Sequence, residues 1–223
     1  MSDFAVFNLN GVVDRFRALA ARTSQRLRLT SQGSIGSADV EPFRFEPARA
    51  GCVYVASPGV IGNALGALQT LADVPTTAAG NILYNKSTDP TMCLAILAVF
   101  AHQSSGTPAV NTGLLVSTPG AVGTAPTANA TGGVIASASG SSRASNAWIS
   151  TGQTFSTAQA WMDVAGNQQS ATAGVGSSLV AWLDGAIVVR PGQAVGTNML
   201  SGIGTNHKWG IGFVWAEFQT DIE

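Results

Sequence analysis

Residues 179–195, LVAWLDGAIVVRPGQAV, and residues 209–218, WGIGFVWAEF, decide the fold class of this chain. The apolar runs at 179–183 and 186–189 flank Asp184-Gly185, a pair typical of two-residue β-hairpin turns because both residues tolerate a positive φ. Pro191-Gly192 is the next turn signal, since proline presets φ and glycine accepts a positive φ. This part of the chain therefore predicts strands that are separated by tight turns.

The last of these runs alternates large and small side chains. Trp209, Ile211, Phe213 and Trp215 alternate with glycine, valine and alanine. Successive side chains of a strand point to opposite faces of the sheet, so all four large residues share one face. We expect that face in the core and a close neighbour against the small side chains of the other face.

Short β-type runs, broken by Gly, Pro, Asn, Ser and Thr, continue back to residue 40. The candidate strands are residues 43–45, 52–56, 81–84, 92–102, 113–117, 147–150, 179–183, 186–189, 194–200 and 209–218. Many short strands with turn signals between them predict an all-β sandwich or barrel. Residues 117–152 are dominated by Ala, Gly, Ser, Thr and Pro, and we expect mainly long loops there.

The N-terminal segment has a different composition, because seven of the eleven basic residues lie in the first fifty positions. Residues 11–29 have the apolar spacing of an amphipathic helix, with arginines on another face. Residues 30–37 are polar and rich in Gly and Ser, as in a linker. We therefore expect a basic helix or arm with its linker over residues 1–38, and a β-sandwich body over residues 39–223.

The basic helix has several candidate roles, and docking onto another protein is the favoured one because the linker lets the helix leave the body. A solvated helix packed on its own domain is the main alternative. Nucleic-acid or membrane binding is not favoured, because the segment has no interleaved aromatic platform for bases. The expected docking residues are Arg15, Phe16, Arg17, Arg22, Arg26 and Arg28.

Composition argues against several classes of protein. Charged residues make up 10% of the 223 residues and the net charge is −1, against about 25% charged residues in ordinary globular proteins. No apolar run reaches the roughly 18 to 20 residues of a membrane span, and Met1-Ser2-Asp3 does not begin like a secretory signal. Cys52 and Cys93 lie in apolar runs, where they are either buried thiols or a bridged pair.

Motifs for catalysis are missing from the sequence. It contains no nucleophile elbow, phosphate-binding loop, dinucleotide fingerprint or zinc-protease motif. His102 and His207 are isolated and have no partner at a metal-ligand spacing. A carboxylate pair assembled only by folding, as in glycosidases, would escape such a search. We expect a protein that is not an enzyme and that holds no metal and no cofactor.

The five tryptophans fall into two groups. Trp182, Trp209 and Trp215 lie in strand patterns, so we expect them in the core or at a subunit interface. Trp148 and Trp161 lie in polar surroundings, where an indole ring can stack on a sugar. These two are the candidate glycan-stacking residues, with loop anchoring or a trimer contact as the alternative.

Residues 184–195, 202–205 and 209–218 together resemble the closing strands of jelly-roll structural proteins of tailed bacteriophages, and the rest of the chain resembles them only in composition. The resemblance implies a jelly-roll-like β-sandwich, a homotrimer and a place in the virion, which is assembled in the host cytoplasm. The implied role is a capsid decoration or cement protein that binds the major capsid protein. A head or tail fibre protein that binds host-surface glycan is the alternative.

Overall fold

The computed structural model describes residues 28–29, 35–36, 51–58, 75–107, 111–129, 133–168, 178–201 and 205–220. The chain divides into one unit of Pro47–Thr220 and another of Met1–Glu46 with Asp221–Glu223. Every helix or strand assigned within these ranges is a β-strand, which confirms the all-β prediction there. In the same ranges no helix has the length and apolar character needed to cross a membrane.

The smaller unit is described at one antiparallel pair, β1 (Arg28–Leu29) with β2 (Ile35–Gly36). The helix predicted over residues 11–29 lies outside the described residues apart from its last two, and those two form a strand. Of the predicted docking residues, Arg28 lies in β1. The other five lie outside the described residues, and they are Arg15, Phe16, Arg17, Arg22 and Arg26.

The larger unit has two antiparallel sheets. In spatial order, the five-stranded sheet consists of β8 (Gly133–Ser137), β3 (Val53–Pro58), β13 (Thr205–Gln219), β5 (Met92–Thr107) and β11 (Ser178–Val189). The six-stranded sheet consists of β9 (Ala147–Thr154), β4 (Ala78–Asn85), β12 (Gln193–Ser201), β6 (Asn111–Ser117) and β10 (Trp161–Gln168), with β7 (Gly120–Ala121) paired to β12.

Four strand pairs are nested along the chain. β3 pairs with β13, β4 with β12, β5 with β11 and β6 with β10. Successive pairs lie alternately in the five-stranded and the six-stranded sheet. The chain thus follows one long antiparallel ribbon that wraps around the core. β8 and β9 come from the connection between β6 and β10, and each adds an edge strand to one sheet.

One hydrophobic core is shared by the two sheets. Trp209, Ile211, Phe213 and Trp215 of β13 are fully buried in it, as their alternation predicts, beside residues of the six-stranded sheet such as Leu114. The opposite face of β13 is closely covered. A Cβ atom at Gly212 would overlap the Phe100 ring and lie 2.7 Å from the Ala56 carbonyl oxygen. The strand therefore needs both its large and its small residues.

The hairpin predicted at Asp184-Gly185 is wrong. Both residues have the expected positive φ, at 48° and 83°, but β11 continues along the same partner strand. Trp182 pairs with Ala98 and Ile187 with Ile96, so β11 makes a bulge between these two pairs. Two successive positive φ values are typical of a hairpin turn, and only the pairing partner shows that β11 bulges here instead. The turn at Pro191-Gly192 is confirmed, with Gly192 at φ 76°.

Residues 117–152 contain more strand than predicted. β7 and β8 lie within this range, and β9 extends four residues beyond the strand predicted at 147–150. β10 lies in a stretch with no predicted strand. These strands take their structure from pairing with β12, β3, β4 and β6 rather than from a local apolar alternation. The strand predicted at 43–45 lies outside the described residues.

Candidate functional site

A cleft of about 540 Å³ opens beside β8 and β9. Its lining comes from Tyr54 of β3, Lys86 after β4, Asn129, β8 with the segment that follows it, and Trp148 of β9. We call residues 138–146, which connect β8 to β9, the wall loop. Since β8 and β9 belong to different sheets, the wall loop crosses from one sheet to the other.

The Glu217 carboxylate anchors one end of the wall loop. Its Oε1 accepts hydrogen bonds from the Ser145 hydroxyl at 2.6 Å and from the Asn146 backbone N–H at 2.7 Å. Its Oε2 accepts one from the Asn146 side-chain amide at 2.8 Å. Trp215 Nε1 donates at 3.5 Å to Oε1. Only 3% of Glu217 is exposed, and hydrogen-bond donors of this kind are what a buried carboxylate requires.

Backbone bonds and one arginine fix the rest of the wall loop. Ala138 N–H donates to the Val53 carbonyl at 2.9 Å, and Lys86 N–H donates to the Asn146 carbonyl at 2.9 Å. Arg143 Nη1 contacts Cys52 Sγ at 3.2 Å. Cys52 and Cys93 are thiols and form no disulfide. The wall of the cleft is thus attached to both sheets without any ligand.

Tyr54 is a buried polar side chain on the cleft. It is 1% exposed and stacks on Trp215, with ring centroids 5.9 Å apart. Within the described part of the chain, its hydroxyl has no hydrogen-bond partner. Burial raises the pKa of Tyr54, the Glu217 charge raises it further, and Arg143 acts in the opposite direction. Buried hydroxyls normally have a partner, and the Tyr54 hydroxyl is one of a few buried polar atoms among the described residues that have none.

Trp148 and Lys86 form a cation–π contact in the lining of the cleft. The indole is half-buried in the lining, and Lys86 Nζ lies 5.1 Å from its ring centroid. Asn129, another lining residue, is held by its Oδ1, which accepts from the Ile149 N–H at 3.0 Å. Trp148 is one of the two predicted glycan-stacking residues, and it lines the cleft.

Trp161, the other predicted glycan-stacking residue, lies elsewhere. It packs edge-on against Phe155 at 6.2 Å, and its Nε1 donates to the Thr76 carbonyl at 3.4 Å. It belongs to a small cluster with Ile82 and Ala194 on the six-stranded sheet. The structure therefore brings one of the two tryptophans to the cleft and gives the other a packing role.

The charged groups of the cleft are cationic. Its charged lining residues among those described are Lys86 and Arg143, and the others are hydroxyl, amide and apolar groups. In the described ranges, no group of three or more His, Cys, Asp and Glu could hold a metal ion. His102 is exposed and bonds to the Ser178 hydroxyl at 2.9 Å, and neither residue lines the cleft.

Several residues of the site were not singled out from the sequence. Tyr54, Lys86, Arg143 and Glu217 are distant in sequence and meet only through strand pairing. Two of them carry a signal that could have been used. Glu217 is a carboxylate inside an apolar strand, and Arg143 is the only charged residue between Asp89 and Asp163.

Comparison of the chain with protein-family models, with curated proteins and with solved structures finds no match.

Proposed function

We propose that this protein is a capsid decoration protein of a tailed-phage virion. In this proposal the body is a jelly roll, the assembly is a homotrimer, and the basic N-terminal segment binds the major capsid protein. The observation that carries the proposal is the nesting of the four strand pairs, from β3 with β13 to β6 with β10.

Nested pairs that alternate between two sheets are the topology expected of a jelly roll, which has eight strands in two Greek keys. Here the eight strands are β3 to β6 and β10 to β13, and β7, β8 and β9 are insertions between the two halves. Jelly rolls occur in viral capsid and lectin domains. Because a fold does not fix a function, the role in the virion rests also on the resemblance of the closing strands.

The outer face of β11 supports the trimer. β11 is an edge strand, and its exposed residues include Val180 at 53%, Trp182 at 60% and Val188 at 39%. A row of large apolar side chains on an edge strand is an interaction surface in a soluble protein. We assign it to a second copy of this chain, because the exposed large side chains are apolar and the same apolar row on another copy would cover them. The bulge at Asp184 interrupts the ladder edge, so the contact is side-chain packing.

The solution mass tests this contact. The full chain should give three times its 22.7 kDa mass by light scattering, and Trp182→Ser should lower the mass at the same protein concentration. Met162→Ser is the matched control, because Met162 is 40% exposed on an edge strand of the other sheet. A monomeric full chain, or an unchanged mass for Trp182→Ser, would remove this part of the proposal.

Charge reversal tests the docking segment in the full chain. Arg15→Glu, Arg22→Glu and Arg26→Glu combined should abolish co-sedimentation with heads that lack this protein. Arg190→Glu is the control, because Arg190 is an exposed cation of the body. Equal binding by the triple variant and the control would show that the arginines do not mediate docking.

Glycan binding in the cleft is the second candidate function, and the position of Trp148 favours it. Sugar rings stack on exposed faces of indoles, and neighbouring hydroxyl and amide groups bond to sugar hydroxyls. Trp148→Ala should lose sugar binding, whereas Trp161→Ala should keep it because Trp161 lies outside the cleft. Binding that survives Trp148→Ala would exclude this cleft as the sugar site.

A further inference from the structure

We infer that the cleft binds an acidic saccharide, one that carries a carboxylate or sulfate group beside its hydroxyls. This inference rests on the second candidate function, glycan binding, and it specifies the chemical class of the ligand. Four features of the cleft carry it: the sign of its charges, the free donors of Arg143, the Tyr54 hydroxyl and the Trp148 ring.

The charges that line the cleft are positive. Lys86 and Arg143 are its two charged residues among the described lining, and Arg143 is the only charge in the chain between Asp89 and Asp163. Charged residues are rare in this chain, yet two cations lie in this one cleft. The nearby carboxylate of Glu217 does not line the cleft, and its oxygens already accept bonds from Ser145 and Asn146.

Arg143 is held in position, but its guanidinium has no carboxylate acceptor among the described residues. Its Nη1 contacts Cys52 Sγ at 3.2 Å, and its backbone N–H donates to the Ser141 hydroxyl at 3.1 Å. No carboxylate among the described residues forms a salt bridge with its exposed guanidinium. The remaining guanidinium N–H groups form a planar fork that matches a carboxylate or sulfate. A neutral sugar would leave this fork without an anionic acceptor.

Tyr54 and Trp148 specify the rest of the ligand. Tyr54 lines the cleft, and its buried hydroxyl has no partner in the described part of the protein. A sugar hydroxyl or an acid oxygen on the floor of the cleft would give it one. Trp148 offers an aromatic ring to the apolar face of a pyranose. An inorganic anion would use the cations alone, whereas an acidic saccharide uses all four groups.

The test compares saccharides that differ only in charge. Trigalacturonate and its methyl ester share their rings and hydroxyls, so calorimetric titration of the full chain with each isolates the contribution of the carboxylates. We expect trigalacturonate to bind roughly tenfold more tightly than its methyl ester, because one charge-assisted bidentate contact contributes about that much. High salt should weaken the binding of trigalacturonate, because it screens the charges. Sialyllactose against lactose, and a sulfated against a desulfated oligosaccharide, distinguish the source of the acid group.

Single substitutions test which residues cause the preference for the acidic saccharide. Arg143→Gln should reduce the affinity for trigalacturonate to that for the methyl ester and leave the ester unchanged, whereas Arg190→Gln should change neither. Tyr54→Phe should lower the affinity for both trigalacturonate and its methyl ester without lowering the melting temperature of the protein. Lys86→Met provides a second test if Arg143→Gln loosens the wall loop.

The outcomes separate this inference from the function on which it rests. Equal affinity for acidic and neutral saccharides would overturn the charge preference and leave glycan binding in place. An acid preference that survives both Arg143→Gln and Lys86→Met would overturn the assignment to this cleft. Failure of every acidic and neutral saccharide to bind would overturn glycan binding and this inference together. None of these results bears on capsid docking, which the arginine variants test separately.

Discussion

Glu217 holds Asn146 by two hydrogen bonds at once, one from the backbone N–H to Oε1 at 2.7 Å and one from the side-chain amide to Oε2 at 2.8 Å. Glu217 lies in β13, the central strand of the five-stranded sheet, and Asn146 lies in the wall loop directly before β9. A single carboxylate thus connects the wall loop to the centre of the protein.

Removing this carboxylate should destabilise the protein. Glu217→Ala leaves the Ser145 hydroxyl and both Asn146 donors without an acceptor, and we expect a loss of about 3 kcal/mol in the free energy of unfolding. Chemical denaturation measures the loss, and amide exchange at Asn146 should accelerate. Asp163→Asn is the control, because Asp163 is exposed and its variant should stay within about 0.5 kcal/mol. A Glu217 variant as stable as this control would contradict the anchoring role.

Gly212 should not tolerate a side chain. Its added Cβ would overlap the Phe100 ring and approach the Ala56 carbonyl oxygen, and the carbonyl belongs to backbone that cannot rotate away. We expect Gly212→Ala to lower the free energy of unfolding by about 2 kcal/mol. Gly210→Ala is matched in strand and face, and its Cβ would meet only the His102 carbonyl oxygen at 4.0 Å. Equal denaturation midpoints for the two variants would refute the close packing.

The bulge in β11 should depend on the residue at position 184. Asp184 has a φ of 48°, a region that Asp tolerates and that β-branched residues strongly disfavour. We expect Asp184→Val to cost about 1–2 kcal/mol relative to Asp184→Gly, because glycine accepts the positive φ and valine does not. Ala186→Val, in the same strand at a negative φ, should be neutral. Thermal melts of the three variants check this, and an unaffected Asp184→Val would argue against the bulge.

The raised pKa of Tyr54 should be visible in an alkaline titration. Burial disfavours the phenolate, and the Glu217 charge adds to the effect, so its pKa lies above the usual 10.0. A group whose pKa rises on folding contributes stability that is complete below pH 10.0 and is lost as the pH passes the folded value. Absorbance at 295 nm should show a late tyrosinate phase that Tyr54→Phe removes. Tyr84 is the other tyrosine of the chain, and Tyr84→Phe should leave that phase intact.

The fold was partly predictable because strand periodicity is a local property. The alternation of β13 identifies its buried face from residues 209–215 alone, and Gly212 in that alternation correctly indicates a close neighbour. Asp184-Gly185 misleads because its two positive φ values occur here in a bulge within β11 and not in a turn between paired strands. β8 and β10 were missed because they lack an apolar alternation and form by pairing with strands distant in sequence.

The candidate site was less predictable than the fold. Trp148 stands out in its polar surroundings, but the same pattern also selects Trp161, which packs against Phe155 instead. Arg143 and Tyr54 belong to segments separated by almost ninety residues, and only the pairing of β8 with β3 brings the segments together. A binding site that is assembled across a sheet leaves no motif with a fixed spacing.

The nested strand pairs also determine when the body can fold. β13 lies in the middle of its sheet, between β3 and β5, so the strand made last fills the central position. Contacts between residues far apart in sequence require large loops to close first, and proteins dominated by such contacts fold slowly. During synthesis the apolar faces of the earlier strands therefore stay uncovered until β13 has emerged and the core can close.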